Sequence, residues 1–282
     1  MTNANLALDA NDPTLSGIFI PPCPAVLTTI LQEAKHPMAD LERIAHLISK
    51  DAGLVAPLLK LANSPFTGLR NKVTSVFHAM SVLGMQKTMN LLQNIALRQS
   101  LSGNAQSFEK FWERSSLTAS VAEKLAAKFP TISKDDAYIM ALFHDCGIPV
   151  LIQKFPDYRD KIMTEGKKGN LLCETENTHF STNHAVVGNM LTRTWALPPH
   201  VSKAILYHHD TSIFSSSSTQ IGNEVLDLIG LVHMAECIVD EHLHVKDKEW
   251  RLYAHDVLQH FEMHEQEFSE LQDDMLAHLN DE

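Results

Sequence analysis

The chain has 282 residues, enough for one large or two modest domains, and its 44% hydrophobic and 20% charged residues exclude a disordered protein. Its formal net charge of −11 disfavours nucleic acid as a partner, because a phosphate backbone attracts cationic surfaces. The sequence has no run of about 18 apolar residues and no signal-peptide pattern at its start. We therefore expect a cytoplasmic protein without a membrane partner.

The first part of the chain has apolar residues at intervals of three and four, which predicts short amphipathic helices. Asp40, Asp51 and Ser75 precede such segments and are expected to be N-caps, because their side-chain oxygens can accept from free backbone amides. Gly84 is expected to end the helix that begins after Ser75.

A polar stretch at residues 100–107 predicts a boundary between two helical parts. The predicted domains are an N-terminal helical subdomain over residues 1–105 and a second helical subdomain over residues 106–282.

Helical spacing also dominates the second part of the chain. Helices are predicted at residues 136–143, 184–195, 199–208, 220–240, 247–262 and 265–279. Residues 164–183 read as the longest loop, and Gly147 reads as a C-terminal helix stop. No strand alternation is evident, so the predicted fold class is all-α, an irregular multi-helix bundle.

Histidine and acidic residues form the candidate site. The candidate metal ligands share imidazole or carboxylate donors, which suit Zn, Mn and Fe ions, and they are His144, Asp145, His184, His208, His209 and Glu236. Neighbouring side chains in a helix point about 100° apart, so His144 and Asp145 can share an ion only near a helix end. Spacing alone leaves the alternative open that each histidine is an ordinary core or surface residue.

Several phrases of the sequence resemble one family in the order in which that family has them. They are IPPCPAV at 20–26, ISKDAGL at 48–54, LKLANS at 59–64, AMSVLG at 79–84, LFHDCG at 142–147, NHAVVG at 183–188, WALP at 195–198 and AILYHH at 204–209. Together they resemble the bacterial HDOD domains, signalling modules built on a degenerate HD-phosphohydrolase scaffold. The resemblance implies an HD-type helical core preceded by an HDOD-specific helical subdomain.

The resemblance also implies a metal site at the six candidate ligands, with one or two divalent ions (Fe, Mn, Zn or Mg). Three positions depart from the catalytic HD pattern: Arg114 stands where a histidine is usual, Glu236 where an aspartate is usual, and Ile148 where a lysine is common. A guanidinium stays protonated and has no lone pair for a metal, so Arg114 is expected to pair with Asp145 and to gate the pocket.

Two functions follow as expectations. The first is a regulatory HDOD module that acts through an unidentified signalling protein or small ligand, with a partial HD metal site and little or no catalysis. The alternative is a metal-dependent phosphohydrolase acting on a nucleotide or phosphate ester, because His144, Asp145 and the later histidines are preserved.

Overall fold

The computed structural model describes most of the chain. The described residues are 17–64, 67, 72–101, 108–214, 221–245 and 249–281. These residues form α-helices and no β-strand, which confirms the predicted all-α class. Within them, no helix combines the length and the apolar character that a bilayer-spanning segment requires.

The chain divides into two compact units. One is Pro21–Gly103, and the other combines Met1–Ile20 with Asn104–Glu282. The predicted boundary between residues 105 and 106 lies outside the described residues.

The helices of the unit Pro21–Gly103 are short, apart from the last. They are α1 (Ala25–Ala34), α2 (Leu41–Ser49), α3 (Ala52–Ala62), α4 (Val76–Leu83) and α5 (Met85–Leu101). The apolar positions at helical spacing form its core; Ile30, Ile48 and Leu58, for example, are completely buried.

The predicted caps of this unit are confirmed. The side chain of Asp40 accepts a hydrogen bond from the amide of Glu42 at 2.9 Å, and that of Asp51 accepts from Gly53 at 2.8 Å. The hydroxyl of Ser75 caps α4 in the same way, at 3.2 Å from the amide of His78. Gly84 ends α4 with a positive φ of 82°, a conformation that side-chain-bearing residues seldom adopt.

The second unit contains the remaining described helices. They are α6 (Glu109–Ala126), α7 (Lys134–Phe143), α8 (Gly147–Lys154), α9 (Tyr158–Lys167), α10 (Leu172–Phe180), α11 (His184–Thr194), α12 (Pro199–Tyr207), α13 (Asn223–His242), α14 (Trp250–His260) and α15 (Glu265–Asp281). Helix α6 packs on α7 and α13, while α11 packs on α8 and α12. Fully buried side chains such as Leu125, Met140 and Phe143 fill the space between them.

Two predictions about this unit are wrong. Residues 164–183 are not a long loop, since they include the end of α9 and all of α10. Gly147 does not end a helix; α7 ends at Phe143 and Gly147 is the first residue of α8. A β-carbon at Gly147 would lie 2.1 Å from the carbonyl oxygen of His184, so glycine is needed there because two helix starts meet.

Candidate metal centre

The helix ends of the second unit place Asp145 at the middle of a group of histidines. Asp145 lies in the turn between α7 and α8, His184 begins α11, and His208 and His209 follow α12 directly. Nε2 of His184 lies 3.3 Å from Oδ1 of Asp145, and Nε2 of His208 lies 3.9 Å from the same oxygen. Nε2 of His209 lies 2.9 Å from Nε2 of His184.

Backbone carbonyls fix two of the imidazole rings. Nδ1 of His144 lies 2.6 Å from the carbonyl oxygen of Ala141, and Nδ1 of His208 lies 2.7 Å from that of Ile205. A carbonyl oxygen only accepts, so each Nδ1 carries the proton and donates it. Nε2 of a neutral ring then presents a lone pair, and that of His208 is buried without any hydrogen-bond partner.

Carboxylates fix the other two rings, again through Nδ1. Nδ1 of His184 donates to Oε2 of Glu176 at 2.6 Å, and Nδ1 of His209 lies 3.0 Å from Oε2 of Glu249. Metal-binding histidines usually donate their second ring nitrogen to a carboxylate or a backbone carbonyl, which sets the tautomer and the ring orientation. All four rings therefore have the orientation of metal ligands.

The distances among the donor atoms allow a test of metal fit. A tetrahedral ion with bonds near 2.1 Å holds its donors roughly 3.4 Å apart. The 3.3, 3.9 and 2.9 Å separations among Asp145, His184, His208 and His209 lie around that value. One donor atom from each of these four residues lies within 4.8 Å of all the others. The residues present therefore fit a divalent ion.

Electrostatics supports the neutral form of His208. Burial and the neighbouring His209 together lower the pKa of His208 to about 3. The Nε2 lone pair is thus available at neutral pH without loss of a proton. The pKa of His184 is instead raised well above its usual range, because the carboxylate of Glu176 outweighs the effect of burial.

Arg114 occupies the other side of Asp145. Its guanidinium, from α6, lies 2.7 Å from Asp240, 3.0 Å from Glu236 and 3.5 Å from Asp145. Despite burial, these carboxylates raise the pKa of Arg114 above its usual range. The charge here is fixed and positive, and it neutralises part of a cluster of three carboxylates.

His144 belongs to this same side. Its Nε2 lies 3.1 Å from Oδ2 of Asp145 and 3.2 Å from Oε1 of Glu236. Burial alone would lower the pKa of His144, but the two carboxylates raise it to about 10. Against the effect of burial, His144 holds the pKa of Asp145 well below its usual range, and His144 and Arg114 together do the same for Glu236.

The structure therefore divides the predicted ligands into two sets that share Asp145. One set is Asp145 with His184, His208 and His209; the other is Asp145 with His144 and Glu236, and Arg114 lies beside it. Their metal-binding role remains a prediction. A cavity of about 350 Å³ adjoins both sets, with apolar wall residues that include Ile162, Leu171 and Trp250.

Sequence reasoning missed four residues around the site. Glu176 and Glu249 orient two histidines, Asp240 binds Arg114, and Nε2 of His233 donates to the carbonyl oxygen of His208 at 2.7 Å. For two of them, the sequence contains a spacing that could have revealed them. His233 and Asp240 lie three residues before and four residues after Glu236, on one face of α13.

The family model of the HDOD domain matches residues 20–211. The chain belongs to the HDOD domain family. The match includes every predicted ligand except Glu236, which lies on α13 beyond it.

Two solved structures share the HDOD fold of this chain over most of its length. A Geobacter sulfurreducens HDOD domain protein with unknown function is 20% identical, with a TM-score of 0.70, and the alignment covers 87% of this chain and 84% of that one. A Shewanella amazonensis SB2B protein, provisionally named a phosphohydrolase, is also 20% identical, with a TM-score of 0.69 and coverage of 90% and 89%. At these identities the likeness shows the fold alone.

One curated relative of this HDOD protein is similar in sequence. An uncharacterized protein of Treponema pallidum (strain Nichols) is 29% identical over 193 residues. The alignment covers 68% of this chain but only 38% of the relative. The chain thus spans well under half the length of that relative.

Proposed function

We propose that this HDOD protein is a regulatory module whose HD-type pocket holds a single divalent ion rather than a catalytic pair. The ion would be held by Asp145, His184, His208 and His209. The observation that carries the proposal is the position of Arg114, whose guanidinium binds Asp145, Glu236 and Asp240 at 2.7–3.5 Å. A second ion at this position would need the same three carboxylates as ligands.

Charge supports the single ion. A second divalent cation near Arg114 would be repelled by a fixed positive charge in a partly buried site, where the repulsion amounts to several kcal/mol at an effective dielectric near 20. The carboxylates that would attract it are already hydrogen-bonded to the guanidinium. His144 faces two of these carboxylates, with Nε2 at 3.1 Å from Asp145 and 3.2 Å from Glu236.

The chain's own residues favour regulation over hydrolysis. Three histidines and one carboxylate would fill a tetrahedral ion, whereas catalytic sites keep one position open for water. A bound ion of this kind supplies Lewis acidity and fixes the side chains around it. The module would then act through a signalling protein or a small ligand that contacts this unit.

The alternative is a metal-dependent phosphohydrolase. Its support is specific: the cavity beside Asp145 has room for a small substrate, and His144 and Asp145 lie together as the HD pattern requires. The two functions differ in the number of ions and in activity on a generic phosphate ester.

The test is metal analysis of the purified full chain after loading with Mn²⁺ or Zn²⁺ and removal of the excess. We expect about one equivalent of metal in the wild type. His208→Gln should hold less than about a fifth of that amount, because the site loses one of its four ligands. His46→Ala, at an exposed histidine of α2, is the matched control and should keep its metal. No metal in the wild type, or equal metal in His208→Gln, would refute the site.

Arg114→His separates the two functions. Replacing the guanidinium with an imidazole adds a lone pair and removes the repulsion of a second cation. We therefore expect the metal content to rise from about one to about two equivalents, with at least a tenfold gain in affinity for the second ion. Hydrolysis of p-nitrophenyl phosphate should be absent in the wild type. Two equivalents together with steady hydrolysis in the wild type would favour the phosphohydrolase.

A further inference from the structure

A second concave surface lies between α11 and α12, separate from the metal centre. Its volume is about 470 Å³, and it shares no lining residue with the cavity beside Asp145. The lining residues come from the facing sides of the two helices and from the turn that joins them; they are Asn189, Arg193, Leu197, Pro199, Ser202, Lys203, Leu206 and Tyr207. We call this surface the α11–α12 groove.

Two buried polar atoms of the groove have no partner. Asn189 and Ser202 are 4% and 3% exposed, and both Oδ1 of Asn189 and Oγ of Ser202 are buried without a hydrogen bond. Buried polar groups are nearly always paired, and leaving one unpaired costs a free energy comparable to its desolvation. Two such atoms in the lining of one groove point to an occupant that completes them.

The orientation of the Asn189 amide is fixed. Its Nδ2 donates to the backbone carbonyl oxygen of Ser202 at 2.7 Å, across the two helices. A flipped amide would set two acceptor oxygens against each other. Oδ1 of Asn189 is therefore the acceptor left without a partner, and the group that would complete it is an N–H or O–H donor.

The charges of the groove have one sign. Arg193 and Lys203 are among its lining residues, and no carboxylate is among the described residues there. Cationic side chains in a groove lining favour an anionic group, most strongly a carboxylate or phosphate that can accept from a guanidinium. The chain as a whole carries a net charge of −11, so a local pair of cations stands out against its surroundings.

The rest of the wall is apolar and aromatic. Leu197, Leu206 and Tyr207 would contact the body of an occupant, and a phenol ring can stack on a flat ring system. The volume lies in the range of sites that enclose most of a small organic ligand. Inorganic phosphate alone would leave this wall without a contact.

We propose that the α11–α12 groove binds a small aromatic anion that also carries a hydrogen-bond donor: the acidic group at Arg193 and Lys203, the flat body against Tyr207, and the donor at Asn189. This chemistry is shared by nucleoside monophosphates and by aromatic amino or hydroxy carboxylic acids. The experiment has one arm for each source.

The groove and the metal centre lie on the same helix pair. The rings of His184 and His208 are 5.4 Å apart at one end, and a β-carbon at Gly188 would lie 3.1 Å from Ile205, one turn further along. Asn189 and Ser202 form the next contact of this antiparallel pair. An occupant of the groove would therefore contact both helices that position His184 and His208.

The test is isothermal titration calorimetry of the full chain with adenosine 5′-monophosphate and, separately, with 4-aminobenzoate. Excess EDTA keeps the metal centre empty, so the result does not depend on the proposed function. We expect saturable binding at one site for at least one probe. Arg193→Gln should weaken it about tenfold, because a charge-assisted hydrogen bond is lost. Lys134→Gln, at an exposed lysine of α7, removes the same charge elsewhere and should have no effect.

Ser202→Ala distinguishes binding from folding. Removing a buried, unpaired hydroxyl should leave the thermal midpoint equal or higher, yet it should weaken the probe about three- to tenfold. Absence of saturable binding by both probes up to roughly 1 mM would overturn the proposal. So would binding that Arg193→Gln and Ser202→Ala leave unchanged, or inorganic phosphate binding as tightly as either probe.

Discussion

Gly147 is the first residue of α8 and packs against the backbone of His184, the first residue of α11. A β-carbon there would lie 2.1 Å from that oxygen, and the atoms it meets belong to backbone rather than to a flexible side chain. The sequence pattern predicts a glycine stop at this position because glycine is common after helices. The actual cause is a close approach of two chain segments, which residue spacing does not reveal.

We expect Gly147→Ala to lower the free energy of unfolding by about 3 kcal/mol, since the backbone at the start of α8 or α11 must move. Gly166→Ala in α9 is the matched control. Apart from its chain neighbours and the backbone of its own helix, no atom lies within 4 Å of its β-carbon position, so alanine should raise the free energy of unfolding by about 0.5–1 kcal/mol through helix propensity. Urea unfolding measures both; equal stabilities for Gly147→Ala and the wild type would contradict the close approach.

At the scale of elements, the sequence predicts most of the helices with an apolar inner face, although not α8, whose buried residues include Val150 and Leu151. Helices α2, α3 and α4 follow their caps at Asp40, Asp51 and Ser75 as expected. Helix α10 was missed because Thr175 and Glu176 make up most of its buried face. A helix that packs against a polar site has no apolar period to detect.

Glu176 on α10 gives this helix a testable role. It is completely buried; Oε2 accepts from Nδ1 of His184 at 2.6 Å and from the His184 amide at 3.0 Å, while Tyr158 donates to Oε1. We expect Glu176→Gln to lower Mn²⁺ or Zn²⁺ affinity 10- to 100-fold, because the carboxylate that orients the ring and increases its basicity is lost.

The control for this prediction is Glu174→Gln, which removes the same charge from an exposed position of α10 and should leave metal affinity unchanged. Competition with a chromophoric chelator measures both affinities, and circular dichroism verifies that the helices persist. An affinity equal to that of the wild type in Glu176→Gln would mean that His184 is positioned without Glu176.

At the scale of the whole molecule, the metal centre brings together residues that lie far apart in the sequence. Asp145, His184 and His208 come from three separate segments, and Glu249 follows 40 residues after His209, which it orients. Periodicity predicts the helices but not which of their ends meet. The convergence was anticipated from the family resemblance, whereas Glu249 has no counterpart in the phrases that carry that resemblance.

Because the donors come from distant segments, an unfolded chain cannot present them together, so a metal that binds here stabilises the folded state selectively. At a free Mn²⁺ or Zn²⁺ concentration of about 100 times Kd, the gain is about 2.7 kcal/mol, which corresponds to a rise of roughly 5–10 °C in Tm for a unit of this size. EDTA should reverse the rise. Differential scanning calorimetry with His208→Gln provides the control, because this variant lacks the unpaired Nε2 donor and should show less than a third of the shift. An equal shift in His208→Gln would place the stabilising ion elsewhere on the acidic surface. No shift in the wild type would mean that the rings of His184, His208 and His209 are oriented for one another rather than for a metal.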